Sequence, residues 1–98
     1  MALDYQYESN RIFAEDHAGK LLAEIQFPMT DKGFVNIAHT FVDASLRGQG
    51  IGDQLVRAVL AEIRKTGTKA IATCSYVKTW FDKHPEEADV LINADAQE

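Results

Sequence analysis

A glycine-rich run, Arg47-Gly48-Gln49-Gly50-Ile51-Gly52, constrains the fold of this chain more than any other feature. It joins an apolar, strand-like run that ends at Val42 to a strongly periodic helical run that begins at Ile51. The glycines leave the backbone N–H groups of this turn unobstructed, and the start of the helix adds unpaired donors and the positive end of its dipole. The sequence therefore predicts an anion site of the kind that holds the diphosphate of a nucleotide-like cofactor.

The size and charge of the chain narrow the possible classes of protein. Its 98 residues suit a single domain spanning 1–98, because a chain of this length buries roughly 60–65% of the surface that it exposes when unfolded. The net charge of −5 disfavours general nucleic-acid binding and an anionic membrane surface, whereas it suits a cationic partner such as an amine.

Cysteine usage and hydropathy indicate the compartment. Cys74 is the single cysteine, so neither an internal disulfide nor a thiol zinc cluster can form, and no His, Asp or Glu spacing indicates a metal site. Asp4, Glu8 and Arg11 interrupt any signal-peptide core, and no apolar run approaches the roughly 20 residues that cross a bilayer. We therefore expect a cytoplasmic protein without a metal and without a membrane partner.

The first half of the chain is typical of antiparallel strands. Apolar-rich runs at 11–17, 20–29 and 34–42 are separated by the turn signals Ala18-Gly19-Lys20 and Asp31-Lys32-Gly33. Three strands with short turns predict a meander. Alternation in the third strand places Val35, Ile37, His39 and Phe41 on one face and Thr40 on the other.

The second half changes to a helical period. Apolar residues recur every four positions from Ile51 to Ile63, which predicts an amphipathic helix that ends at Thr66-Gly67. Residues 69–74 then indicate a buried strand, so a strand, turn, helix and strand predict a βαβ crossover onto the same sheet.

Shorter elements are expected to follow this crossover. Ser75 is predicted to cap a helix that runs to about Lys83, and Pro85 is predicted to begin a last short helix. The polar tail after Ile92 is expected to fray.

Residues 47–52 match the Q/R-x-x-G-x-G/A signature of the GNAT-type N-acetyltransferase superfamily, and residues 11–85 resemble it in the order of their elements. The chain is most similar to the very small GNAT-like proteins with C-S-Y and later H-P-E segments, here Cys74-Ser75-Tyr76 and His84-Pro85-Glu86. This resemblance implies an α/β (α+β-like) minimal GNAT fold. It combines an antiparallel meander, a βαβ crossover and short C-terminal helices, and the family's usual final strand pair is missing.

The resemblance also implies an acetyl-CoA-dependent N-acetyltransferase that moves an acetyl group to an amine. Acetyl-CoA would be a co-substrate, and no metal would be needed. The diphosphate would lie on Arg47, Gly48, Gln49, Gly50, Ile51 and Gly52. The pantetheine arm would run beside Phe41 and Val42, and Thr73 and Cys74 would face the thioester.

The chain departs from the family pattern at functional positions. Asp53 stands where Ser or Thr often follows the signature, and a carboxylate there repels a diphosphate. Phe81 stands at the position of a frequent tyrosine general acid, and phenylalanine has no proton to donate. The strand before the signature offers Asn36 and His39 in place of a carboxylate base.

Three residues are therefore candidates for catalysis. His39 titrates in the range that suits a general base, or it only forms hydrogen bonds within the sheet. Cys74 could accept the acetyl group, protonate the departing thiolate, line the tunnel or simply pack in the core. Tyr76 is an alternative proton donor unless it points into solvent.

Two other functions fit the same loop. A non-catalytic CoA-binding sensor or interaction module agrees with the missing tyrosine and the missing final strands. A site for the phosphate of another nucleotide is disfavoured, because the chain lacks the Walker lysine with its Ser/Thr and lacks a full dinucleotide fingerprint. The acceptor stays open, and the chain could be a monomer or a homodimer paired through a sheet edge.

Overall fold

The computed structural model describes residues 3–92, in which five strands are followed by a long helix, a sixth strand and a second helix. The strands are β1 (Gln6–Glu8), β2 (Arg11–Glu15), β3 (Leu21–Gln26), β4 (Val35–Ile37), β5 (His39–Val42) and β6 (Ala70–Ala72). The helices are α1 (Ile51–Thr66) and α2 (Ser75–Lys83), with 3₁₀ turns at Ala44–Leu46 and Pro85–Val90.

The predicted meander is present, with β1, β2, β3 and β5 as antiparallel neighbours in that order. The strands are shorter than the apolar runs indicated. Strand β1 was not predicted, because each of its three residues is exposed and so gives no alternation between buried and exposed positions.

A bulge divides the predicted third strand. Met29 lies opposite Val35, while Gln26 lies opposite His39, so one strand advances by four residues where its partner advances by three. Because of the additional residue at Ala38, each side chain of β5 points to the face opposite to the one that a continuous strand would give it. The prediction that Val35 and Ile37 share a face with His39 and Phe41 is therefore wrong.

The bulge also separates two sheets. Before it, β4 pairs in parallel with β6, and after it, β5 pairs antiparallel with β3. The Ile37 carbonyl accepts the N–H groups of Thr73 and Cys74, both at 3.2 Å. Beyond these bonds β5 and β6 share no ladder within the described residues, so a gap opens between them.

Helix α1 covers one face of the meander. Its buried residues recur every three or four positions and join the core side chains of β2 and β3, such as Ile12 and Ile25. Gly67, at a φ of +75°, ends the helix as predicted, and its N–H donates to the Ile63 carbonyl. The βαβ crossover is present between β4 and β6.

Helix α2 adds Val77, Trp80 and Phe81 to the same core. Its N-cap is Cys74, and Ser75 is its first helical residue, so the prediction that Ser75 caps α2 is wrong. We call the sheet face that packs on α1 the inner face and the opposite one the outer face.

Leu91 and Ile92 run beside the free edge of β6. Leu91 forms a parallel bridge with Ala70, and the Ile92 N–H donates to the Ala70 carbonyl at 2.9 Å. The predicted fraying concerns residues 93–98, which lie outside the described residues. Between residues 3 and 92, no helix has both the length and the apolar character to cross a membrane.

Candidate active site

A cleft of about 370 Å³ lies at the gap between β5 and β6. Strand β5, the glycine-rich turn, the first turn of α1 and the first turn of α2 form its walls. Its lining residues are Thr40, Val42, Leu46, Arg47, Gly48, Gly50, Ile51, Gly52 and Tyr76. Thr40 and Leu46 were not among the predicted site residues. Thr40 points to the cleft because of the bulge, which leaves no signal in the sequence.

The glycine-rich turn, which lines this cleft, carries unpaired backbone donors. Gly48 and Gly50 adopt φ values of +82° and +77°, which non-glycine residues rarely adopt. The N–H groups of Gly48, Gln49 and Gly50 donate to no acceptor within residues 3–92. The first intrahelical bond is donated by Gln54 to the Gly50 carbonyl at 3.1 Å, so the N–H groups of residues 51–53 are also available.

The side chains at the turn favour an anion there. Arg47 lines the cleft and forms no ion pair with another described residue, so its guanidinium is free to bind a ligand. Asp53 turns away: its Oδ1 accepts from Trp80 Nε1 at 2.8 Å and its Oδ2 accepts from Arg57 Nε at 3.0 Å. Burial raises the pKa of Asp53, but these two hydrogen bonds hold it below its ordinary value. Its charge is thus paired within the protein, which reduces the repulsion expected from the sequence.

Tyr76 packs directly on the start of α1. A Cβ atom at Gly52 would lie 2.5 Å from the Tyr76 hydroxyl oxygen and 2.8 Å from Cζ, so only glycine leaves room for the ring. The Tyr76 side chain lines the cleft, although 43% of the residue is exposed. Burial raises the pKa of Tyr76, and the charges of Asp53 and Cys74 raise it further, so the phenol keeps its proton at neutral pH.

Cys74 lies across the gap from β5. Its Sγ is 3.4 Å from Thr40 Oγ1, so the expectation that Thr40 faces away from the site is wrong. Burial raises the pKa of Cys74, but the Thr40 hydroxyl and the backbone N–H groups of Val77, Tyr76 and Thr40 lower it by more, and the net pKa is below the ordinary value. A thiol at a helix N-terminus with these donors favours its thiolate form.

The other predicted site residues lie outside the cleft lining. His39 and Phe41 project from the outer face, where the His39 side chain is 51% exposed. Thr73 Oγ1 donates to Asn36 Oδ1 at 2.9 Å, and the Gln49 side chain donates to the Ser45 carbonyl at 3.4 Å. Among the predicted cofactor contacts, the cleft thus brings together Val42, Arg47 and the turn, while Phe41 and Thr73 contribute no side chain to it.

Comparison with known proteins identifies the family. Residues 11–90 match the family model of the GCN5-related N-acetyl-transferases. The chain belongs to this family. The solution structure of a GCN5-like protein from Staphylococcus aureus is 34% identical in sequence, with a TM-score of 0.77 over 92% of this chain and 88% of its own. No curated protein is similar enough to count as a match. The GNAT fold predicted from the sequence is confirmed, and membership of this family makes the chain an acyltransferase by class.

The contact between Gly52 and Tyr76 in this GNAT protein yields a first prediction. Replacing Gly52 with alanine should leave the stability unchanged or raise it by up to about 1 kcal/mol, since alanine favours the helix and the phenol end of Tyr76 can swing away. Turnover should fall, because the hydroxyl leaves the cleft. Urea unfolding and thiol-release assays measure the two effects. If Gly52→Ala lowers turnover just as much in a Tyr76→Ala background, displacement of Tyr76 is not the cause.

The environment of the single cysteine of this GNAT protein yields a second prediction. Because its pKa is lowered, the rate of alkylation of Cys74 by iodoacetamide should rise with pH around a midpoint below that of a free cysteine. Thr40→Val removes the hydroxyl that stabilises the thiolate, so the midpoint should move to higher pH. Ser45→Ala, outside the cleft lining, serves as the control. An unchanged midpoint in Thr40→Val would contradict the role of this hydrogen bond.

Proposed function

We propose that the protein is an N-acetyltransferase that uses acetyl-CoA to acetylate an amine. The observation that carries this proposal is the set of unpaired backbone N–H groups at residues 48–53, in a turn that lines the cleft at the gap between β5 and β6. A diphosphate on these donors gains charge-assisted hydrogen bonds and the favourable end of the α1 dipole. Arg47 would add an ion pair.

The pantetheine arm of acetyl-CoA would extend from the turn along β5. One edge of β5 pairs with β3, and the other edge, facing the gap, pairs with no strand among the described residues. The amides of the arm can bond to this free edge as an added strand would, beside Phe41 and Val42. Backbone donors near the thioester would then polarise its carbonyl, an effect that can stabilise a transition state by about 3 kcal/mol.

Cys74 and Tyr76 suit opposite roles, because their surroundings move their pKa values in opposite directions. In the proposed reaction the Cys74 thiolate attacks the acetyl carbon, so a new C–S bond forms and the C–S bond to CoA breaks. The departing CoA thiolate takes the phenolic proton of Tyr76, which the solvent replaces.

The second step releases the product. The acceptor amine attacks the acetyl-cysteine carbonyl and loses a proton to His39, so a C–N bond forms, the C–S bond to Cys74 breaks and the Cys74 thiolate is restored. His39 then releases its proton to the solvent. The alternative is direct attack of the amine on acetyl-CoA, in which Cys74 only lines the passage.

Calorimetry and a turnover assay test this proposal. Acetyl-CoA should bind saturably, with ATP and NAD as competitors that do not displace it. An amine panel of a polyamine, a lysine peptide and a small aromatic amine should then stimulate thiol release. Binding without stimulation by any amine supports a sensor instead, and no heat at millimolar acetyl-CoA would remove the basis of the proposal.

A further inference from the structure

Different side chains flank the gap between β5 and β6 on the two faces of the sheet, and we call its two ends the inner mouth and the outer mouth. On the inner face, Thr40 and Cys74 lie 3.4 Å apart beside the cleft. On the outer face, the neighbouring residues His39 and Thr73 project, because successive strand residues alternate in facing. The bulge at Ala38 therefore places the His39 imidazole at the outer mouth. His39 directly precedes Thr40, which contacts the Cys74 thiol.

Glu24 is the buried charge of this outer face. It is 7% exposed, and Phe13 and Phe41 lie opposite it on the two neighbouring strands. Its Oε1 lies 3.5 Å from His39 Nε2, and its Oε2 accepts from Arg11 Nε at 2.5 Å. Arg11 is itself fixed, since its guanidinium lies 3.7 Å from the centre of the Phe13 ring and its Nη1 is 3.0 Å from Glu8 Oε1.

This arrangement leaves one carboxylate oxygen for His39. The pair with Arg11 uses Oε2, while Oε1 faces the imidazole, and no other charged side chain of residues 3–92 is within ion-pair distance of His39. Strand β3 thus presents Glu24 to the imidazole, and β2 presents Arg11 behind it. With Nε2 directed at the carboxylate, Nδ1 is the nitrogen that can take a proton.

We propose that Glu24 is a positioning residue, which orients His39 at the outer mouth of the gap and stabilises the imidazolium that forms when the acceptor amine loses its proton. This inference rests on the proposed function. The amine would therefore approach from the outer face, while acetyl-CoA occupies the cleft on the inner face. Because the His39 side chain is half exposed, a substrate can reach it, and because Glu24 is buried, its carboxylate holds a fixed orientation.

Glu24→Gln tests this role through the difference between its effects on the amine-dependent rate and on the binding of acetyl-CoA. The amine-dependent rate should fall about 10- to 100-fold, as when carboxylates that orient functional imidazoles are removed, while the Kd for acetyl-CoA stays unchanged. The imidazolium that forms during transfer loses its stabilising charge, so kcat at a saturating amine concentration should carry the loss.

Two controls separate positioning from stability. Glu8→Gln removes a carboxylate that also pairs with Arg11 on the outer face but does not contact His39, and it should leave the amine-dependent rate and the Kd for acetyl-CoA unchanged. In a His39→Ala background, Glu24→Gln should have no further effect on the rate. An equal loss with and without His39 would overturn the inference.

The remaining outcomes are also decisive. Formation of acetyl-Cys74 without amine should proceed at the wild-type rate in Glu24→Gln. Failure of the wild type to bind acetyl-CoA would overturn the proposed function. An amine-dependent rate in Glu24→Gln equal to that of the wild type would overturn only this inference. If the glutamine variant does not fold, Glu24→Asp keeps the charge but shortens its reach to His39. It should lower the amine-dependent rate, and an unchanged rate would overturn the inference.

Discussion

Replacement of Gly50 by valine is expected to raise the Kd for acetyl-CoA about 100-fold or more. Gly50 is the N-cap of α1 and adopts a φ of +77°, a conformation that a β-branched residue avoids. To relieve this strain the adjoining peptide planes rotate, and the unpaired N–H groups of the turn are redirected. Losing two charge-assisted hydrogen bonds, each worth about 1.5–3 kcal/mol, accounts for a change of this size.

Gly67 offers a matched control at the other end of the same helix. It adopts a φ of +75°, and an added Cβ at either glycine meets nothing within 4 Å. Gly67→Val and Gly50→Val should therefore destabilise the protein by a similar amount, about 1–2 kcal/mol, in urea unfolding. Only Gly50→Val should weaken the binding of acetyl-CoA in calorimetry. Equal losses of affinity in both variants would show that the turn has no direct part in binding.

The features that the sequence predicted well are those with a local cause. The period of α1 and its end at Gly67 follow from apolar spacing and from the tolerance of glycine for the left-handed region. The open turn at Gly48 and Gly50 follows from the same property of glycine. These elements need no knowledge of distant contacts, and their bounds in the structure agree closely with the prediction.

The bulge at Ala38 could not be predicted, because a continuous strand satisfies the same alternation of Val35, Ile37, His39 and Phe41. The additional residue is an alanine, which carries no turn or bulge signal. Yet this one residue decides that Thr40, rather than His39, faces the cleft. An error of one residue in strand register therefore exchanged the two sides of the predicted site.

Long-range contacts account for the other differences. Serine is a better N-cap than cysteine, but the Cys74 N–H is held by the Ile37 carbonyl, so α2 begins one residue after the thiol. The contact of Gly52 with Tyr76 joins the two helices, and no pattern within either helix indicates it. Likewise, burial of Glu24 on the outer face depends on Arg11 of a neighbouring strand.

Removal of the thiol is expected to have the largest effect on catalysis. Cys74→Ala should lower the amine-dependent release of CoA about 1,000-fold or more, since loss of a covalent nucleophile leaves only binding and polarisation of the carbonyl. The affinity for acetyl-CoA should change little, because the diphosphate donors lie on the turn at residues 48–53. Tyr76→Phe is the matched comparison, as it retains the ring on Gly52 and lacks only the proton donor.

Mass spectrometry distinguishes the two routes of transfer. Without an amine, the wild type and Tyr76→Phe should each gain one acetyl group, the latter more slowly, while Cys74→Ala should gain none. The lowered pKa of Cys74 favours this intermediate, because a larger share of the thiol is ionised at neutral pH. If Cys74→Ala retains more than about a tenth of the wild-type rate, the amine attacks acetyl-CoA directly, since general acid–base assistance alone contributes about 100-fold or more.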